Sequence, residues 1–203
     1  MPFDHNDHYH RLLLRHVPRG GGVALDVGCG TGRFARRLAG RGLEVDAVDV
    51  SEEVVAEARA LSAGAGNPRF ECADVTAIDL PRGRYDVISC LACVHHMPFS
   101  TVAALRDALA PGGVLLILGC YPESTAVDRA WSLAAVPVNA AARLAVAVVE
   151  EFRRGSATTG RAPVTRPTTP LRRIRREAEV LLPGCRVRRL LFWRYLLVFR
   201  DGG

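Results

Sequence analysis

Apolar residues along the chain gather into short runs, and the runs alternate between a two-residue and a helical period. Residues 23–27 are apolar apart from one acid, residues 43–50 alternate apolar and acidic positions, and residues 85–94 and 114–118 are largely apolar. With a shorter segment at 70–75 they predict five strands. Residues 33–39, 51–61 and 100–109 predict the intervening helices, the second opened by Ser51-Glu52-Glu53. Pro111, Gly112 and Gly113 predict a turn that feeds the last run. Strands and helices in this alternation predict an α/β fold with a parallel sheet covered on both faces. A ligand then belongs at the carboxyl ends of the strands, where the strand order reverses.

The flanks add three features to this single domain of residues 1–203. Residues 1–19 predict an N-terminal cap helix, with Leu12, Leu13 and Leu14 ahead of Pro18 and three glycines. Residues 186–200 carry too many apolar side chains for a free tail and predict two strands around Phe192-Trp193-Arg194. Between the fifth strand and that pair, residues 121–182 predict a helical insertion. Its alanine- and valine-rich part, 128–152, contains Trp131 and is kinked at Pro137; 155–170 read as a loop. Placed there, the insertion forms a lid over the ligand and shapes an acceptor site with Trp131. A dimer face is the competing reading, so the chain is expected as a monomer or homodimer. An interfacial membrane helix would need a strongly basic polar face that this segment lacks.

Composition narrows the setting. A chain of 203 residues with 49% hydrophobic content forms a proper core without staples. No stretch reaches the length and purity of a membrane span, and Met-Pro-Phe-Asp-His-Asn does not read as a signal peptide, so a cytoplasmic enzyme is expected. The six cysteines are scattered through strands and turns, which argues against a disulfide framework. Net charge is +6, yet all 27 basic residues are arginine, a usage that points to a GC-rich coding sequence. The clusters at 172–176 and 186–189 read as solvated faces of a helix and an edge strand. Without interleaved aromatics, no nucleic-acid partner is expected.

The first strand ends in Asp26-Val27-Gly28-Cys29-Gly30-Thr31-Gly32, and a helix opens at Arg33. Glycines let the backbone take positive φ and approach a ligand closely. A helix N-terminus reached this way normally attracts phosphate, but Asp26 repels a pyrophosphate and welcomes an ammonium group. Gly30-Thr31-Gly32-Arg33-Phe34-Ala35 also fits the loose dinucleotide form, which keeps a nicotinamide-dependent oxidoreductase as an alternative. In that register the turn starts two residues late and Asp26 has no role. Asp49, seventeen positions after Gly32, ends the second strand where an acid can take both ribose hydroxyls. The competing reading makes Asp49 part of a helix N-cap.

These blocks resemble the motifs of class I S-adenosylmethionine-dependent methyltransferases of the small-molecule type. The first is acid-x-Gly-x-Gly-x-Gly. Further blocks are Phe70–Val75, Tyr85-Asp86 running into His95-His96-Met97-Pro98, and Leu109-Ala110-Pro111-Gly112-Gly113, in the family's order. The resemblance implies a Rossmann-like, doubly wound seven-stranded sheet, mostly parallel, completed by a C-terminal antiparallel hairpin. It implies S-adenosylmethionine as cofactor and S-adenosylhomocysteine as product. Gly28, Cys29, Gly30 and Gly32 would lie against the amino acid end, and Asp26 would serve its ammonium. Asp49 would hold the ribose, Val50 would lie on the adenine, and Asp74, between Ala73 and Val75, would accept from the adenine amino group. Cys90 would line the site from the fourth strand. The acceptor is expected to be a small molecule, its oxygen, nitrogen or carbon atom undetermined. A module that holds the cofactor for a partner protein, without catalysis, is the remaining alternative.

His95 and His96 follow the fourth strand close to the point of methyl delivery. Either can act as base or position the acceptor, and either can equally be a packed or solvated loop residue. Cys90-x-x-Cys93-x-His95-His96 has metal-ligand spacing but no second Cys-x-x-Cys, and a strand would send the two sulfurs to opposite faces; no metal is expected. At the N-terminus His5, His8, Tyr9 and His10 crowd one segment. Tyr9 or a neighbouring histidine reaches the cofactor or acceptor, or else simply caps the domain.

Overall fold

The computed structural model describes residues 5–123 and 167–202. Trp131 and the expected lid helix at 128–152 lie outside them. The elements are α1 (His5–Leu14), β1 (Val23–Val27), α2 (Arg33–Ala39), β2 (Glu44–Asp49), α3 (Glu52–Ala60), β3 (Arg69–Cys72), β4 (Tyr85–Leu91), a 3₁₀ turn (Val94–His96), α4 (Thr101–Asp107), β5 (Leu109–Cys120), α5 (Leu171–Leu181), β6 (Arg186–Arg189) and β7 (Arg194–Arg200).

The seven strands form one sheet in the order β3-β2-β1-β4-β5-β7-β6. β3 through β5 are parallel, and β7 and β6 add antiparallel to β5 and to each other. The chain moves outward from β1 to β3 and then returns to β4. The strand order therefore reverses between β1 and β4, and their carboxyl ends flank a crevice.

Alternation along the central strands divides the core. On β5, Leu115 and Ile117 face α4 and α5, in a layer that includes Leu105, Leu171, Ile174 and Ala178. Val114, Leu116 and Leu118 face α1 and α2, with Leu13, Phe34 and Leu38. α5 is mostly arginine on its outer side, but Leu171, Ile174 and Ala178 recur at helical spacing and make one buried stripe. This helix falls inside the range expected to form an insertion, yet it sheathes the sheet. Its arginine cluster marks a helix, but the short apolar stripe among many charges conceals the packing on the sheet.

Pro111-Gly112-Gly113 also differs from expectation. Instead of a turn before the strand, it is an irregularity within β5, where pairing jumps from Tyr85↔Leu109 to Val87↔Val114. A β-carbon at Gly113 would crowd the carbonyl oxygens of Tyr85 and Ala110, so only glycine lets the strand continue.

Candidate active site

Asp26, at the end of β1, is 2% exposed. Parallel pairing of β1 with β4 sets it beside Ser89, whose hydroxyl donates to Asp26 Oδ1 at 2.6 Å. Asp26 Oδ2 is buried and has no hydrogen-bond partner, although the residue lines the cleft. Burial pushes the carboxyl up to about 7, opposed by the Ser89 hydrogen bond and the Ala35 amide, and Asp49 adds a like charge. A carboxylate oxygen without a donor, in the wall of a crevice, is a receptor for a cationic hydrogen-bond donor.

The glycine loop is folded inward. The amides of Gly28 and Cys29 both donate to Val48 O, at 2.8 and 3.0 Å, and that of Gly32 to Cys29 O at 2.9 Å. The Gly30 amide donates to Asp49 Oδ2 at 2.9 Å. Three of these four amides are therefore engaged by the end of β2 and the fourth within the loop, contrary to what a pyrophosphate cradle requires. Gly28 has φ 65°, and a β-carbon there would overlap Cys93. Cys29 lies buried in the cleft wall, where burial raises its thiol well above the ordinary range.

Asp49 closes β2 with each oxygen held by one amide, Oδ2 by Gly30 and Oδ1 by Ser51 at 3.1 Å. A second lone pair on each oxygen remains for a vicinal diol. The N-cap itself is Ser51, whose hydroxyl accepts from the Val54 amide. Val50, next along, is 69% exposed and forms an apolar part of the cleft wall. Beyond it Ala73 donates its amide to Asp49 O at 3.0 Å, and Val75 is buried. Asp74 Oδ1 accepts from the amide and hydroxyl of Thr76, which hold its carboxyl below the usual range.

β4 supplies the opposite wall. Cys90 is buried outside the cleft, and Cys93 takes its place in the lining. The two sulfurs are joined as a disulfide rather than separated across the sheet, because β4 ends at Leu91 and Ala92 turns the chain at φ 55°. His95 and His96 both line the cleft, their rings 4.1 Å apart. No group of three or more His, Cys, Asp and Glu side chains suited to a metal occurs among the described residues.

α1 contributes Asp7 and His10 to the cleft lining. Tyr9 does not line the cleft: its hydroxyl donates to Leu191 O at 3.0 Å, and burial pushes it up to about 12. Among the described side chains of this segment, His10 is the histidine in the cleft wall, with Nε2 3.6 Å from Asp7 Oδ1 while Asp7 pairs with Arg33. Ser89 and Asp7 were not singled out from sequence, Cys93 entered there only as a metal-ligand candidate, and His10 only as one of the histidines beside Tyr9. Ser89 had one visible signal, a hydroxyl alone in an apolar run.

A methyltransferase domain family profile matches residues 24–113. An uncharacterized methyltransferase of Mycobacterium tuberculosis is 32% identical over 203 residues, covering 98% of both chains. A ubiquinone biosynthesis O-methyltransferase of Azotobacter vinelandii is 35% identical over 106 residues, 50% of this chain and 45% of that one. In fold, the magnesium protoporphyrin IX methyltransferase of Synechocystis, solved with bound S-adenosylmethionine, aligns over 97% of this chain and 77% of its own, with a TM-score of 0.60 at 18% identity. The chain belongs to the class I S-adenosylmethionine-dependent methyltransferases. It is an enzyme of that class, and its cofactor is S-adenosylmethionine.

Proposed function

We propose that the cleft transfers the sulfonium methyl to a small-molecule acceptor, with the cofactor's ammonium on Asp26 and its ribose on Asp49. The unpartnered Oδ2 of Asp26 carries this reading. Val50 and Asp74 flank the adenine. When bound, the sulfonium supplies an electrophilic methyl carbon, so the protein's task is alignment and exclusion of water. His95 and His96 line the same cleft and would face the acceptor. One of them takes the acceptor's proton as the new bond forms. Cytoplasmic operation without nucleic acid, as monomer or homodimer, completes the reading. No helix among the described residues is long and apolar enough to cross a membrane.

Calorimetric titration tests the cofactor half. S-adenosylhomocysteine binds at micromolar levels and NAD does not, and Asp26→Asn weakens the former about 10–100-fold through loss of one charge-assisted contact. A screen with methyl-labelled cofactor tests the acceptor half. Changing both His95 and His96 to Ala lowers the turnover number about 10²–10⁴-fold; an unchanged turnover removes them as base.

A further inference from the structure

The turn joining β6 to β7 is built against local preference. Its amide at Leu190 donates to Arg194 O at 2.8 Å, and Phe192 and Trp193 sit consecutively at φ 59° and 56°. Two left-handed residues in a row belong to the tight hairpin turn that normally uses Asn-Gly. Large aromatic side chains are poorly suited to both positions. The strain places the two rings differently. Phe192 is 2% exposed and lies against the rings of His8 and Tyr9, fastening α1. Trp193 is 38% exposed and lines the cleft, and its indole N–H donates to Glu123 Oε1 at 2.5 Å. Its carbonyl also accepts from the Tyr121 amide at 3.2 Å, so the turn is locked to the end of β5. Phe192 fastens α1, and Trp193 is held in the cleft lining.

The cleft has a volume of about 1420 Å³, larger than the roughly 300–1,000 Å³ usual for one small ligand. Asp26, Asp49 and Asp74 mark the part that takes the cofactor. Tyr121, Trp193 and the two histidines line the same cleft, and Tyr121 is itself backed by the Arg189 guanidinium 5.6 Å from its ring. A flat indole, fixed at both its ring nitrogen and its backbone, suits a flat partner.

We infer that Trp193 is a wall of the acceptor subsite and that the acceptor is a planar aromatic molecule bearing the nucleophilic group. The inference rests on the methyl-transfer reading above and names its substrate class. The test uses protein saturated with S-adenosylhomocysteine and two probes of like size, 2-naphthol and its saturated counterpart decahydro-2-naphthol, titrated by calorimetry or saturation-transfer NMR. The aromatic probe binds at least tenfold more tightly than the saturated one. Trp193→Ala abolishes that preference and weakens 2-naphthol at least tenfold, Trp193→Phe keeps it within about threefold, and all variants bind S-adenosylhomocysteine within twofold of the parent. Equal binding of the two probes by the unaltered protein, no binding of 2-naphthol, or undiminished binding by Trp193→Ala would overturn the inference. If S-adenosylhomocysteine itself fails to bind the unaltered protein, the underlying reading falls and takes the inference with it.

Discussion

Asp26 is ionised only where something makes ionisation worthwhile. In the free protein its carboxyl, raised from 3.8 to about 7, holds its proton longer than it would in the unfolded chain. It therefore contributes stability that is full below about pH 4 and lost as pH rises through about 7. A bound ammonium reverses the preference, because it pairs with the charged form. Affinity for S-adenosylhomocysteine should fall about tenfold per pH unit below about 7 and level off above it. Titrations at pH 6, 7 and 8 check this, and buffers of different ionisation enthalpy report the proton released. Ser89 sets the midpoint. Ser89→Ala removes the hydrogen bond that favours the charged form and should move the same profile upward by about one pH unit. A merely structural serine would change stability and leave the midpoint in place. Asp26 and Asp49 were legible as acids ending strands at motif spacing. The partnership with Ser89 was not, because it depends on which residue of β4 stands opposite Asp26.

At the level of elements, local pattern located the strands and helices and failed where long-range contact decides. The separation expected of Cys90 and Cys93 assumed that the strand's alternation continued, and the left-handed Ala92 ends it. The cap helix was legible from its leucines, but the partner of Tyr9 lies in the β6–β7 turn, 182 positions away. That distance explains why a cleft role for Tyr9 was as reasonable from sequence as a structural one. Tyr9→Phe should cost about 1 kcal/mol by leaving Leu191 O without its donor. A urea midpoint shift with unchanged slope checks it. Affinity for S-adenosylhomocysteine should stay near the parent value.

Across the whole molecule, the cofactor cleft is made by topology. The reversal between β1 and β4 brings Asp26 and the His95–His96 turn to facing walls, though about seventy residues separate them in the chain. The strand reversal is implied by the motif order, whereas the place of α5 is not. Occupancy of a site that joins both halves should stabilise the entire fold. At a ligand concentration 100 times its dissociation constant, S-adenosylhomocysteine should add about 2.7 kcal/mol. The rise in melting temperature that measures it should be larger at pH 8 than at pH 6 for a fixed concentration, since affinity follows Asp26.

β6 terminates the sheet on one side, with Arg186 and Arg188 exposed along Arg186-Val187-Arg188-Arg189. A second copy approaching to extend the ladder would bring its own exposed arginines close to Arg186 and Arg188. Like charge along this border thus disfavours self-pairing through β6.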